Sequence, residues 1–337
     1  MGASVASGAG AGAGAGARTG ADAVAGSPAA AGPGAAVKDG GTGPDPAGRS
    51  VTVLGLGPMG RAMARAFLAR GYAVTVWNRT AHKADDLVAA GARRAGSVRE
   101  ALAANALVVL SLTDRAAMYA LLEPAVAALP GRVLANLSSD TPDGARAAAA
   151  WAERHGAGYL AAGIAASPPQ VGTDQGRAYY SGPAELFEAH RGALGVISPV
   201  EHLGADPGLA PLCYQVQMDL FWTGLTGWLH AVTMAEAHGV GAAEVLPYVL
   251  DVAGSLPEVL RFYSARLAAG DDTGDVDRIA MGAASAAHVA QTARAAGVDP
   301  TLPDAVLATF QRGLAAGHGD RSFTALREAL RAAPARA

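Results

Sequence analysis

VTVLGLGPMGRAMARAFLARGYAVTVWNRTAHK, residues 51–83, begins with a short apolar run of strand length and strand composition. The run leads into the G-x-G-x-x-G spacing of Gly55, Gly57 and Gly60. An amphipathic helix then ends at Gly71, and a second strand occupies residues 73–77. A strand, a glycine turn, a helix and a second strand in this order predict a dinucleotide-binding unit.

The three glycines have separate roles at such a site. Gly55 makes the tight turn, Gly57 lets the backbone approach a pyrophosphate, and Gly60 lets the helix pack closely on the strand. Free N–H groups and the helix dipole favour the pyrophosphate at the helix N-terminus. We expect the remaining residues of the turn to line the same site: Leu56, Pro58 and Met59. The alternative is a glycine turn without a ligand, because chance matches are common in a chain with 44 glycines.

The end of the second strand indicates which dinucleotide binds. An NAD site usually carries Asp or Glu there, to bond the ribose 2′-hydroxyl. This chain has Asn78, Arg79 and Thr80, with Lys83 one helical turn further on. An arginine fork and a lysine bind a 2′-phosphate, which a carboxylate would repel. We therefore predict NADPH as the cofactor.

The chain up to about residue 205 alternates strands and helices. Further strands are expected at residues 106–110, 132–135, 159–161 and 178–180. This alternation predicts an α/β fold with a Rossmann-type, doubly wound parallel sheet. Because ligands bind beyond the carboxyl ends of such strands, we expect four residues there to contact the cofactor: Leu112, Thr113, Asn136 and Ser138. Thr113 and Asn136 would meet the nicotinamide ribose and amide, and the alternative is ordinary capping of the strand ends.

One helical pattern follows the sheet, over residues 207–238. At 1.5 Å per residue it spans about 48 Å, more than the width of one domain. A kink at Gly224 or Gly227 is the alternative to a straight helix. Because a lone long helix would expose apolar faces, we expect a homodimer with interlocked helical domains.

These patterns divide the chain into four parts. Residues 1–48 are an Ala/Gly-rich tail that we expect to be disordered, because it has almost nothing to bury. An NADP-binding Rossmann domain is predicted over residues 49–205, followed by an interdomain helix over 206–238. An all-α domain for dimerisation and substrate binding is predicted over residues 239–333.

Composition excludes several other classes of protein. The net charge of −3 gives no basic patch for nucleic acid. The single cysteine, Cys213, permits no internal disulfide, and no His, Asp or Glu cluster has ligand spacing, so we expect no metal. No apolar run reaches the length of a membrane span. We expect a cytoplasmic protein.

The first domain resembles the β-hydroxyacid dehydrogenase and 6-phosphogluconate dehydrogenase superfamily in GLGPMG, in WNRT with Lys83, and in the long interdomain helix. Two signatures of that superfamily are absent. Its D-A-P-V-S-G-G substrate run is replaced by AAGIAAS at residues 161–167, and its catalytic lysine and later asparagine by Tyr214 and Met218. The only lysines of the chain are Lys38 and Lys83, so no lysine can serve a substrate carbonyl.

The remaining features are similar to the imine reductase branch of that superfamily. They are GADPGLA at residues 204–210 followed by Tyr214 in place of lysine, GIAASPPQVG at residues 163–172, and the Tyr180-Ser181-Gly182 triplet. The resemblance implies an NADPH-dependent imine reductase that acts on a cyclic or secondary imine. It also implies that Tyr214 occupies the position of the family proton donor, in a subgroup that tends toward S-configured amines.

The chemistry of C=N reduction suits a phenol. An imine can be protonated before hydride attack, so the pocket mainly holds a cation near the nicotinamide in a dry environment. The Tyr214 ring attracts cations, and its hydroxyl can bond the nitrogen or pass a proton. The alternative is that Tyr214 only packs the domain junction.

We expect the substrate pocket to include five further residues: Ile164, Ala165, Trp222, Leu256 and Met281. Trp222 lies two turns after Tyr214 on one helix face, whereas Leu256 and Met281 would come from the partner subunit. The alternative for these last three is an ordinary place in the core, where we also expect Trp228. Two other functions remain open, namely a carbonyl or hydroxyacid oxidoreductase and a non-catalytic NADPH-binding protein.

Overall fold

A computed structural model of the chain describes residues 48–331. The predicted disordered tail therefore lies outside the described residues, except for Gly48. The sheet and its covering helices comprise β1 (Ser50–Leu54), α1 (Pro58–Ala69), β2 (Ala73–Trp77), α2 (Asp85–Ala89), β3 (Arg93–Arg94), α3 (Val98–Ala104), β4 (Leu107–Leu110), α4 (Arg115–Leu122), β5 (Val133–Asn136), α5 (Pro142–Arg154), β6 (Gly158–Ala165), β7 (Arg177–Ser181), α6 (Ala184–Leu194) and β8 (Val200–His202). The helical part comprises α7 (Leu209–Ala237), α8 (Ala242–Ala269), α9 (Ile279–Ala295), α10 (Thr301–Ala315) and α11 (Leu326–Arg331).

The strands form one sheet in the order β3-β2-β1-β4-β5-β6-β7-β8. All neighbours are parallel from β3 to β6, so the predicted Rossmann-type sheet is confirmed. The sheet is not wholly parallel, because β7 runs antiparallel to β6. Strand β8 is parallel to β7 and therefore also runs against the other strands. Residues 166–176 between β6 and β7 contain no α-helix, and a parallel return needs a longer crossover, usually helical. The two shortest strands, β3 and β8, are absent from the sequence prediction because neither contains an apolar run.

Buried side chains cover both faces of the sheet. On one face, Val51 and Val53 pack with Met63 and Phe67 of α1. On the other face, Leu54 and Leu110 belong to a cluster that includes Met118 of α4. Because the strands are buried on both faces, their sequences are nearly continuous apolar runs.

Helix α7 is continuous over all its residues, so the alternative of a kink at Gly224 or Gly227 is not realised. Only Ala210, Pro211 and Val232 are buried along its length, and α8 buries only Arg266. The predicted core position of Trp228 is wrong for the single chain, where 37% of this residue is exposed. Helices α7 and α8 therefore present long apolar faces that no other described residue covers.

One buried hydroxyl gives a prediction about stability. Tyr180 on β7 is fully buried, and its hydroxyl has no hydrogen-bond partner among the described residues. Because an unpaired buried hydroxyl destabilises the folded state, Tyr180→Phe should leave the free energy of unfolding unchanged or raise it by about 1 kcal/mol. Tyr159→Phe is the matched control, since its hydroxyl accepts a hydrogen bond from Asn136 at 2.8 Å. Urea denaturation should show a loss only for the control, and equal losses would contradict the prediction.

Candidate active site

A cavity of about 900 Å³ lies at the carboxyl ends of β1, β2 and β4. Its position is the one expected for a ligand of a parallel α/β sheet. It is lined by most of the residues predicted to hold the cofactor: Gly55, Leu56, Gly57, Pro58, Met59, Asn78, Arg79, Thr80, Lys83, Leu112 and Thr113. The structure thus brings two separate turns of the predicted dinucleotide site, and the end of β4, to one cavity.

The glycine turn is built for close approach. A Cβ atom on Gly60 would lie 2.0 Å from the carbonyl oxygen of Gly55, so only glycine lets α1 begin this near to β1. Gly55 has φ 93°, and a Cβ atom on it would lie 2.1 Å from the carbonyl oxygen of Ser111. The space beside Gly57 is open, and no side chain caps the N-terminus of α1. The free N–H groups of that terminus fit the pyrophosphate of a dinucleotide.

Asn78 also lines the cavity, and both polar groups of its side chain are hydrogen-bonded to the backbone. Its Oδ1 accepts a hydrogen bond from the Leu56 N–H at 3.0 Å, and its Nδ2 donates to the Thr80 carbonyl at 3.1 Å. Asn78 therefore ties the glycine turn to the loop after β2. Arg79 and Lys83 line the cavity beside it.

The cavity is basic. Its lining includes Arg79, Lys83 and a third basic residue, Arg99, and contains no carboxylate among the residues that the structure describes. The nearby Asp86 is already paired with Arg61 at 2.8 Å and Arg65 at 2.5 Å, and the hydrogen bond from Arg65 lowers its pKa. The chemistry of this lining fits a 2′-phosphate better than a bare ribose hydroxyl.

The sequence prediction did not include Arg99. Its signal is the capping sequence Ser97-Val98-Arg99-Glu100, in which the Ser97 hydroxyl accepts a hydrogen bond from the Glu100 N–H at 3.1 Å. That cap starts α3 at the rim of the cavity and places Arg99 in the first turn. A helix start next to a predicted nucleotide site is the pattern that would have found it.

Asn136 and Ser138 lie behind the cavity rather than on its wall. Asn136 is 2% exposed, donates to the Tyr159 hydroxyl at 2.8 Å and accepts from the Ser138 N–H at 3.0 Å. The Ser138 hydroxyl in turn accepts from the Leu112 N–H at 3.0 Å. Both side chains therefore hydrogen-bond within the protein, and the bond from Leu112 fixes the loop that contains that residue. The cofactor contacts of Asn136 and Ser138 stay a prediction.

Tyr214 lies in the second turn of α7, against the end of β6. A Cβ atom on Gly163 would lie 2.7 Å from the Tyr214 Cβ and 3.0 Å from the Ala210 carbonyl oxygen. The glycine therefore allows the helix to rest directly on the sheet. Ile164 and Ala165, the next residues of β6, are half-buried, as is Tyr214. The structure thus brings Tyr214 next to the strand end that contains two of the predicted substrate residues.

The other predicted substrate residues do not join this group within one chain. Trp222 is 62% exposed, Leu256 38% and Met281 64%. All three lie outside the 900 Å³ cavity. A pocket that includes them requires another surface to cover them.

Neither a metal centre nor a membrane span is found in residues 48–331. No three His, Cys, Asp or Glu side chains in that range could hold a metal ion together. Within the same range, none of the helices is long and apolar enough to cross a bilayer.

The sheet, the glycine turn and the basic cavity define a protein of the Rossmann-type, dinucleotide-dependent class, followed by a helical domain. Residues 50–204 match the family described as the NAD binding domain of 6-phosphogluconate dehydrogenase. Residues 206–332 match the family described as the NADPH-dependent reductive aminase-like, C-terminal domain.

Relatives with similar sequences and structures indicate the family within this class. The imine reductase BcSIRED from Bacillus cereus BAG3X2 is 52% identical with a TM-score of 0.78, over 84% of this chain and 99% of that chain. A reductive aminase from Aspergillus terreus, in complex with NADPH and ethyl levulinate, is 31% identical with a TM-score of 0.81, over 84% and 100% of the two chains. The NADPH-dependent reductive aminase of Aspergillus oryzae is 28% identical over 284 residues, which are 83% of this chain and 96% of the relative.

The chain belongs to the imine reductase family. The predicted class, an NADPH-dependent oxidoreductase of that family, is therefore confirmed.

Proposed function

We propose that the protein uses NADPH to reduce the C=N bond of a cyclic or secondary imine to an amine, with Tyr214 as the residue that faces the substrate nitrogen. The observation that carries this proposal is the presence of tyrosine, and of no lysine, where α7 meets the end of β6. A ketone needs an acid as negative charge develops on oxygen, whereas an iminium ion is already electrophilic. A phenol is therefore sufficient for an iminium ion and poorly matched to a ketone.

The residues of the cavity would hold the cofactor by three kinds of contact. The N-terminus of α1 would bind the pyrophosphate, and Arg79 and Lys83 would bind the 2′-phosphate. Leu112 and Thr113, at the end of β4, would border the nicotinamide half. When bound, NADPH supplies the hydride that the C=N carbon accepts.

Tyr214 has two tasks in this proposal. Its ring face stabilises the positive charge of the iminium ion, and its hydroxyl hydrogen-bonds the nitrogen or delivers a proton to it. Ile164 and Ala165 would border the substrate from β6. The half-buried position of Tyr214 reduces the access of water, which strengthens both interactions.

One set of assays separates this proposal from its alternatives. The protein is incubated with NADPH and a small cyclic imine such as a pyrroline, and separately with NADP and 3-hydroxy acids. We expect NADPH oxidation with the imine and no turnover of the hydroxy acids. Turnover of hydroxy acids alone would identify a carbonyl or hydroxyacid oxidoreductase, and tight NADPH binding without any turnover would identify a binding protein. A parallel reaction with a ketone and an amine tests whether the enzyme also uses an imine formed in its presence.

The exposed faces of α7 and α8 support a homodimer as part of the proposal. Trp222, Tyr248 and Val252 are 62%, 74% and 70% exposed in one chain, and they belong to the apolar faces of α7 and α8. Large exposed apolar faces mark interaction sites. A second copy would cover them and bring Leu256 and Met281 towards Tyr214. Light scattering after gel filtration should give twice the chain mass of 33.5 kDa at micromolar concentration. A monomer that is fully active would contradict this part of the proposal.

A further inference from the structure

Two short sequences that mark the chain as imine reductase-like lie away from the cofactor cavity. They are the Tyr180-Ser181-Gly182 triplet at the end of β7 and the segment 204–210, which leads into α7, and none of their residues lines that cavity. The structure places them together at the start of α7. The contacts of these residues hold the start of α7 in place, and the proposed chemistry assigns them no part in the reaction.

Ser181 joins the sheet to the first turn of α7. It is fully buried, its hydroxyl donates to the Pro207 carbonyl at 2.9 Å, and it accepts from the Ala210 N–H at 3.0 Å. The Ala210 N–H is one of the first-turn donors that a helix cannot satisfy itself. No side chain of the helix's own N-cap residue, Gly208, takes this place, so the cap comes from strand β7.

Asp206 joins the same helix start to α5. Both of its carboxylate oxygens accept hydrogen bonds from the Arg146 guanidinium, at 2.9 and 2.7 Å, and one also accepts from the Gly208 N–H at 2.9 Å. These contacts lower the pKa of Asp206 to about 2. The carboxylate is therefore ionised above about pH 4, and its stabilising contribution is lost only as the pH falls through the lowered value.

A third contact lies beside Tyr214 itself. The Gln215 side chain donates to the Asp140 carbonyl, in the loop after β5, at 3.0 Å. The first two turns of α7 are thus attached to β6, β7, α5 and the β5 loop. The middle of the helix, from Leu220 to Thr226, is exposed. Attachment on the sheet side is therefore concentrated where Tyr214 lies.

We propose that Ser181 and Asp206 are positioning residues that set the place of the Tyr214 hydroxyl over the reacting C=N bond; the inference rests on the proposed role of Tyr214. Tyr214 is four residues from Ala210 on one continuous helix, and Asp206 lies two residues before the N-cap of that helix. A slip of one residue at the helix start would move the phenol by about 1.5 Å along the axis and turn it by about 100°. Misplacement by about 1 Å is enough to cost about a hundredfold in rate.

The test is a double-mutant cycle. Asp206→Asn and Ser181→Ala are each made in the natural chain and in Tyr214→Phe, and kcat for a pyrroline, KM, the Kd for NADPH and the melting temperature are measured. In the natural chain we expect each substitution to lower kcat about tenfold, with the Kd for NADPH changed by less than about twofold. In Tyr214→Phe we expect each to lower kcat by less than about twofold, because the group that they position is gone.

Glu188→Gln is the matched control. Glu188 forms a similar two-bond pair with Arg191 within α6, at 2.8 and 2.6 Å, but that pair does not touch α7. We expect this variant to keep kcat in both backgrounds. Two positioning variants are used, so that the cycle can still be measured with one of them if the other fails to fold.

The outcomes separate the two proposals. A slow Tyr214→Phe with equal losses from Asp206→Asn and Ser181→Ala in both backgrounds would overturn the positioning role and leave the function of Tyr214 intact. A slow Tyr214→Phe with no loss from either variant would do the same. Full activity of Tyr214→Phe would instead overturn the proposed role of the tyrosine, and the positioning inference would fall with it. Parallel losses of kcat and of NADPH affinity would show only a general structural role.

Discussion

Tyr214→Phe is expected to lower kcat for a cyclic imine by about a hundredfold, the low end of the range for a positioned acid. The ring remains to stabilise the cation, and only the hydroxyl that reaches the nitrogen is lost. The Kd for NADPH should be unchanged, because Tyr214 is not part of the lining of the cofactor cavity. Single-turnover mixing of the NADPH complex with a pyrroline, followed at the NADPH absorbance, measures the effect on the chemical step directly.

The matched control for this prediction is Tyr119→Phe. Tyr119 lies on α4 and packs against Trp151 with ring centroids 5.3 Å apart, away from α7. The Tyr119→Phe variant also loses one phenolic hydroxyl, and it should keep full activity. If Tyr214→Phe were as active as Tyr119→Phe, the hydroxyl would have no part in the reaction. A pH profile adds a second check, because the loss should be greatest at high pH, where less of the substrate arrives already protonated.

The second large effect concerns cofactor choice. Arg79→Ala should weaken NADPH binding by about 10- to 100-fold, because each charge-assisted hydrogen bond to the phosphate contributes about 1.5–3 kcal/mol. NADH lacks that phosphate, so its Kd should change by less than about twofold. Fluorescence titration with both cofactors gives the ratio of the two affinities, which is the quantity that tests the prediction.

Arg70→Ala is the control for cofactor choice. Arg70 is an exposed arginine just beyond α1 and does not line the cavity. It changes the net charge by the same amount, so it corrects for general electrostatic attraction of a polyanion. We expect it to leave the ratio of NADPH to NADH affinity unchanged. A ratio equally unchanged in Arg79→Ala would show that the 2′-phosphate is bound elsewhere, for which Arg99 is the next basic residue of the lining.

The residues that line the cavity illustrate how much of their placement the sequence could predict. The glycine turn and the residues after β2 lie within residues 51–83, in one strand–helix–strand unit whose geometry is set by local chain length. Their positions on one cavity wall could therefore be predicted from spacing alone. Asn136 and Ser138 stand at the predicted strand end, and both of their side chains hydrogen-bond within the protein. A hydroxyl on the neighbouring strand, that of Tyr159, satisfies Asn136, and nothing local in the sequence signals this pairing.

By itself, the sequence determined the class of fold, the basic residues that follow β2, and the absence of a lysine on the helix that follows the sheet. Each of these depends on residue type and on spacing along a short stretch of chain. Only the tertiary structure decided three other features. They are the reversed direction of β7, the packing of Tyr214 against Gly163, and the contacts of Ser181 and Asp206 with the start of α7. Apart from the Asp206–Gly208 bond, these contacts join residues 12 to 60 positions apart. Such contacts depend on how whole elements pack, which the local sequence pattern does not encode.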